Sequence, residues 1–149
     1  AAINTKNVHR SNYLANFAYG KTFQYDEMML TGPGEKGEAM ANHVAQDKSL
    51  GGQGGPKPGE GPSKEERENG FYDVMFIGEA TNGDTLAVSV IGDKDPGYGS
   101  TSRMISESAL CLCKDVSLSG GFFTPASALG DKLISRLTEK AGLTFNIEK

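Results

Sequence analysis

The sequence predicts an α+β domain, a mixed and largely antiparallel sheet with helices packed on one face. Three observations carry that reading. Two apolar runs flank an Asn-Gly pair, two later segments repeat their apolar residues at helical intervals, and a short apolar run, LTFNI, closes the chain.

Each element follows from local chemistry. The opening "NYLANFAYG" fits helix or strand, and periodicity does not choose between them. "FQYDEMML", with Phe23, Tyr25, Met28 and Met29, reads as a further strand of imperfect alternation. Between 31 and 70 glycine, proline and charge dominate, so this interval reads as a flexible excursion with at most a short helix around 37–46. The best-defined core begins at residue 71. "FYDVMFIGEA" and "TLAVSVIGD" form a hairpin about Asn82-Gly83. Tyr72, Val74 and Phe76 share one face of the first strand and Met75 and Ile77 the other, which predicts a central or helix-covered strand. Pro96-Gly97 fits the inner pair of a type II turn, after which Ser100, Thr101 or Ser102 caps a helix reaching about Lys114. Met104, Ile105, Ala109 and Leu112, widened by Leu110 and Cys111, predict that this helix is largely buried. The second helix has a Thr124-Pro125 start, an apolar repeat through Ala126, Leu129, Leu133, Leu137 and Ala141, and a stop at Gly142.

Composition narrows the function. At 149 residues, with 20 glycines and 37% hydrophobic content, the chain suits one compact domain joined to a long irregular segment. A net charge of −4 argues against a sequence-independent grip on nucleic acid. No apolar run reaches the length of a membrane span. The start "AAINTKNV", without methionine, suggests an end lying inside a larger protein. Cys111 and Cys113, two apart on a helix, can neither share a metal nor form a disulfide. They read as small buried hydrophobes of a reducing, cytoplasmic compartment.

No self-sufficient active site emerges. "GGQGGPKPG" lacks the preceding strand and following helix of a dinucleotide fingerprint and reads as linker. The junction Gly97-Tyr98-Gly99-Ser100-Thr101 is better placed, because free N–H groups at a helix start attract anions. A turn with a cap is one reading, and a site for a substrate carboxylate or phosphate is the other. Arg103 either pairs with Glu107 one turn on or clamps substrate. Asp95 is a possible base or a turn residue. Candidate substrate-binding residues are therefore Asp95, Tyr98, Ser100, Thr101 and Arg103. His9 and His43 have no partners spaced for a metal or a triad, and neither Tyr-x-x-x-Lys nor Gly-x-Ser-x-Gly occurs.

"PKPGEGPSKEERENGFYDVMFIGEA", "DPGYGSTSRMISESALCL" and "GGFFTPASALGDKLISRLTEKAGLTF" resemble the C-terminal portion of saccharopine dehydrogenase-like oxidoreductases, in the branch that contains the trans-acting enoyl reductases. "NVHRSNYLANFAYGKTFQYDEMM" is similar to the segment just upstream in that branch. The resemblance spans nearly the whole chain and is strongest from 56 to 145. It implies a single C-terminal domain over 1–149 that binds a small-molecule substrate and contributes to a homodimer. Its partner would be an N-terminal Rossmann domain, outside this chain, that binds NAD(P). No cofactor or metal is then expected here, and the 95–101 junction becomes a substrate-side or structural loop. One departure is the interval "GEKGEAMANHVAQDKSLGGQGG", which is polar where lipid-acting relatives are apolar, so the substrate stays open. An autonomous ligand- or partner-binding module, or a structural oligomerisation domain of the same fold, are the alternatives.

Overall fold

The computed structural model describes residues 2–46 and 59–148. The elements in chain order are α1 (Ala2–Leu14), α2 (Gly34–Gln46), α3 (Lys64–Asn69), β1 (Tyr72–Glu79), β2 (Thr85–Gly92), α4 (Gly99–Lys114), α5 (Pro125–Lys140) and β3 (Leu143–Glu148). The three strands form one antiparallel sheet in the order β1-β2-β3, so the α+β reading holds.

The hairpin between β1 and β2 closes as the Asn-Gly pair predicts. Gly83 takes φ 87°, and its N–H donates to the Ala80 carbonyl at 2.9 Å. Register then sets Val74 opposite Val90 and Val90 opposite Phe145, all on the face turned toward the helices. There Leu137 and Ala141 of α5 and Leu143 of β3 form the buried cluster, joined by Val90, Met104, Leu133 and Phe145. α5 starts at a reciprocal cap: Ser127 N–H donates to Thr124 Oγ1, and Thr124 N–H donates to Ser127 Oγ. It ends at Ala141, where Gly142 takes φ 74°. Unforeseen is Gly130, whose φ of 49° and ψ of −137° interrupt α5 after its first turns.

Several sequence expectations need correcting. The segment at 23–30 is not a strand. Phe23 packs its ring on His9 and Tyr19, at centroid distances of 5.7 and 5.5 Å, and no strand among the described residues lies beside it to supply a ladder. "NYLANFAYG" resolves as the end of α1 followed by a turn. Asn16 and Phe17 adopt left-handed φ, and the buried Asn12 side chain ties the turn by bonding Tyr19 N–H and the Gly20 carbonyl. β1 is neither central nor covered. It is an edge strand, and Val74 and Phe76 on one face and Met75 and Ile77 on the other are exposed. α4 is not largely buried either, since Ile105 and Leu112 lie open to solvent while Met104 faces the core. Cys111 is buried but Cys113 is exposed, and both are free thiols.

Within the 31–70 interval, α2 and α3 are helices, while "GGQGGPKP" falls outside the described residues. The signal for α3 was legible as Ser63-x-x-Glu66, which forms a reciprocal capping box. Much apolar surface remains uncovered, since Ile77, Ile105, Leu112 and Phe122 all lie exposed.

Candidate functional site

The junction before α4 is built around the Asp95 carboxylate. Oδ1 accepts the N–H groups of Gly97 and Tyr98, each at 3.0 Å, and Oδ2 accepts that of Gly99. The Asp95 carbonyl accepts from Ser100 N–H at 2.9 Å. Partial desolvation works to raise the Asp95 pKa, but the amides of Gly99, Tyr98 and Gly97, with the charge of Arg67 nearby, more than offset it and hold the carboxyl below its usual range. Asp95 thus caps α4 from four residues upstream, in place of the expected Ser100, Thr101 or Ser102. Tyr98 occupies the cap position without a side-chain bond. Gly97 has no positive φ, so the Pro96-Gly97 turn is not type II. The amides that would greet an anion are already donated to a carboxylate of the chain itself.

The other candidates are also held internally. Ser100 is fully buried, and its hydroxyl bonds Tyr72 Oη at 2.8 Å. Thr101 Oγ1 donates to the Pro96 carbonyl at 2.6 Å. Arg103 faces Asp93 at 3.5 Å rather than Glu107. Glu107 instead accepts from Arg136 of α5 at 2.8 Å, and the same guanidinium also binds Asp115. Those hydrogen bonds to Asp115 and Glu107 raise the Arg136 pKa, while burial pushes the Cys111 thiol up, with Asp115 adding to it. This cluster joins α4 to α5 and leaves Cys111 an inert thiol.

α3 forms the floor of the junction. Asp95 N–H donates to the Arg67 carbonyl at 3.2 Å, and Lys94 Nζ donates to the Glu68 carbonyl at 3.1 Å. A Cβ on Gly70 would stand 2.7 Å from the Asp95 Cα, and one on Gly99 would stand 2.6 Å from the Arg67 carbonyl oxygen. The Tyr98 ring lies over Gly61. Asp95, Tyr98, Ser100 and Thr101 are therefore brought together, and Arg103 points away to Asp93.

A feature that sequence reasoning missed lies further along α4. An apolar groove of about 390 Å³ runs between α4 and α5, walled by Ile105, Ala109, Leu112, Leu118, Phe123 and Leu129. Ser108 and Thr124 supply its few polar atoms. Thr101 precedes Ile105 by one helical turn, so of the five candidates it shares the groove's helix face. The stripe on α4 was visible in the sequence. Periodicity reports that a face is apolar, not whether anything covers it.

Among the described residues no group of three or more His, Cys, Asp or Glu side chains could hold a metal ion. No described helix is long and apolar enough to cross a membrane.

The chain is homologous to proteins named as trans-acting enoyl reductases. A Mycobacterium tuberculosis protein carrying that name provisionally is 36% identical over 156 residues, covering 92% of this chain and 37% of the relative. A trans-acting enoyl reductase of Mycobacterium ulcerans is 34% identical over 160 residues, covering 91% and 37%. One of Mycobacterium bovis is 33% identical over 156 residues, covering 92% and 37%. The chain thus spans little more than a third of the length of the curated relatives it matches. No family model matches the chain, and no solved structure matches it significantly.

Proposed function

We propose that these residues form the substrate-binding domain of a saccharopine dehydrogenase-like reductase that uses NAD(P) held by a Rossmann domain elsewhere in the polypeptide. The observation that carries this reading is the alignment of 92% of the chain with trans-acting enoyl reductases nearly three times as long. The junction geometry agrees with it. A pyrophosphate needs free amides at a helix start, and those of Gly97, Tyr98 and Gly99 are engaged by Asp95. This junction therefore does not offer the free amides that a pyrophosphate needs.

An enoyl group is an unsaturated acyl, and the groove between α4 and α5 suits the apolar part of such a substrate. Its walls are aliphatic and aromatic with few polar atoms, the composition small-molecule sites use for burial. Thr101, at one end of that helix face, and the Asp95 loop beside it then flank the reacting end.

Fluorescence titration of the chain with NADH and NADPH, and separately with a fluorescent fatty acid, tests both parts. Neither nucleotide should bind, whereas the fatty acid should bind and be weakened roughly tenfold or more by Leu112→Asp. Micromolar affinity for either nucleotide overturns the domain assignment. Fatty-acid binding indifferent to Leu112→Asp overturns the groove.

A further inference from the structure

α5 is broken at Gly130, where φ is 49° and ψ is −137°. That conformation mirrors the extended region, and it is open to glycine but strained for any residue that carries a Cβ. Yet a Cβ built on Gly130 would meet nothing within 4 Å. Glycine stands there for its backbone freedom and not for want of room.

The break separates two halves with different attachments. Downstream, Leu133, Leu137 and Ala141 pack in the buried cluster, and Arg136 bonds both Glu107 and Asp115. Upstream lie an irregular loop at 116–124, containing Gly120-Gly121, and the first turns of α5. Among the described residues, no side-chain hydrogen bond or ion pair ties 116–129 to α4 or to the sheet. Those that this segment makes outside itself go to α1, between the Thr124 and Ser11 hydroxyls and from Arg10 to the Phe122 carbonyl.

The apolar groove falls across this division. Ile105, Ala109 and Leu112 form its α4 wall, while Leu118, Phe123 and Leu129 of the opposite wall all belong to 116–129. Ile105, Leu112, Leu118 and Phe123 are between 43% and 68% exposed, so both walls keep apolar surface for closure to cover.

We propose that residues 116–129 are a lid hinged at Gly130, which swings toward α4 and closes over the alkyl chain of a bound substrate. The occupant rests on the acyl reading of the groove, whereas the hinge rests on the backbone and its attachments. A hinge concentrates a large change in φ and ψ at one or a few residues, and a lid closes to keep water from its ligand. Gly130 supplies the first, next to a half-helix pinned in place. The alkyl chain supplies the apolar contact that holds the lid down.

Amide relaxation dispersion, which reads exchange on the microsecond-to-millisecond scale, tests the proposal, beginning with the ligand-free chain. Exchange is expected through 116–129 and not through 131–140. Saturating dodecanoate should suppress it. Gly130→Ala has space for its methyl group but favours continuous helix, so it should abolish the exchange and weaken dodecanoate binding roughly tenfold or more. Far-ultraviolet circular dichroism checks that this variant folds. Exchange absent from 116–129, or equal on the two sides of Gly130, overturns the hinge whether or not dodecanoate binds. Exchange that bound dodecanoate leaves unchanged overturns the lid, as does a Gly130→Ala chain with exchange and affinity intact. If dodecanoate does not bind at all, the acyl reading of the groove falls, and exchange confined to 116–129 still upholds the hinge.

Discussion

At the β3 side of the sheet, Leu143 and Phe145 meet Leu133, Leu137 and Ala141 of α5, and Leu137, Ala141 and Leu143 are buried there. At the β1 side, two strands away, Val74 and Phe76 point to the same face yet stay open to solvent. Both strands set apolar residues at alternate positions along this face. The difference lies in what stands above them, because α5 runs over β3 and stops short of β1. Alternation in a strand records which residues share a face, whereas stability comes only from the face that is actually covered.

Substitutions that should act very differently at the two ends test this contrast. Leu137→Ala removes a buried side chain from the sealed cluster and should cost about 2–5 kcal/mol in urea unfolding. Ile77→Ala, at the open end, should change stability by less than about 0.5 kcal/mol in the chain held dilute. Equal losses at the two positions would show that β1 is covered after all.

An intermediate effect is expected where the two ends meet. A Cβ on Gly92 would stand 2.2 Å from the Tyr72 ring, whose hydroxyl holds the fully buried Ser100. Gly92→Ala must therefore displace that ring and strand the serine hydroxyl, for about 1–3 kcal/mol by the same measurement. A neutral result would mean that Tyr72 can move without consequence.

The contribution of the loop depends on pH. The folded-state pKa of Asp95 is depressed, so its stabilising effect is present above the ordinary aspartate value of 3.8 and is lost as pH falls from there through the folded value. Unfolding midpoints of the chain and of Asp95→Asn should differ near neutrality and converge in acid. A gap that stays constant below pH 4 would remove the carboxylate from its capping role.

The sequence was most readable where the deciding chemistry is local. Asn82-Gly83, Thr124-Pro125 and Gly142 each announce a turn or a helix end through their own backbone preferences, and all three stand as expected. The cap box at Ser63 and Glu66 was equally local, but the surrounding glycine and charge masked it. Reading failed where the outcome depends on distant partners. "FQYDEMML" has strand composition and no neighbouring strand among the described residues, and the Ile105–Leu112 stripe has helical spacing but borders an open groove. Arg103 had two acidic choices and took Asp93, ten positions back, instead of Glu107. The anion-site reading of the 97–101 junction was chemically apt, and its occupant was Asp95, closer in sequence than any ligand.

Gly130 has a consequence for how the molecule comes apart. α1 is fastened through Ser11, whose hydroxyl meets that of Thr124 at 2.7 Å, and through Arg10, which reaches the Phe122 carbonyl. Both anchors lie upstream of the break at Gly130, while Leu133, Leu137 and Ala141 lie downstream. The N-terminal helix is thus fixed to one half of α5 and the sheet to the other. Amide hydrogen exchange should then resolve two units, with α1 and the first turns of α5 opening together at low free energy while the downstream half and β3 stay protected until global unfolding.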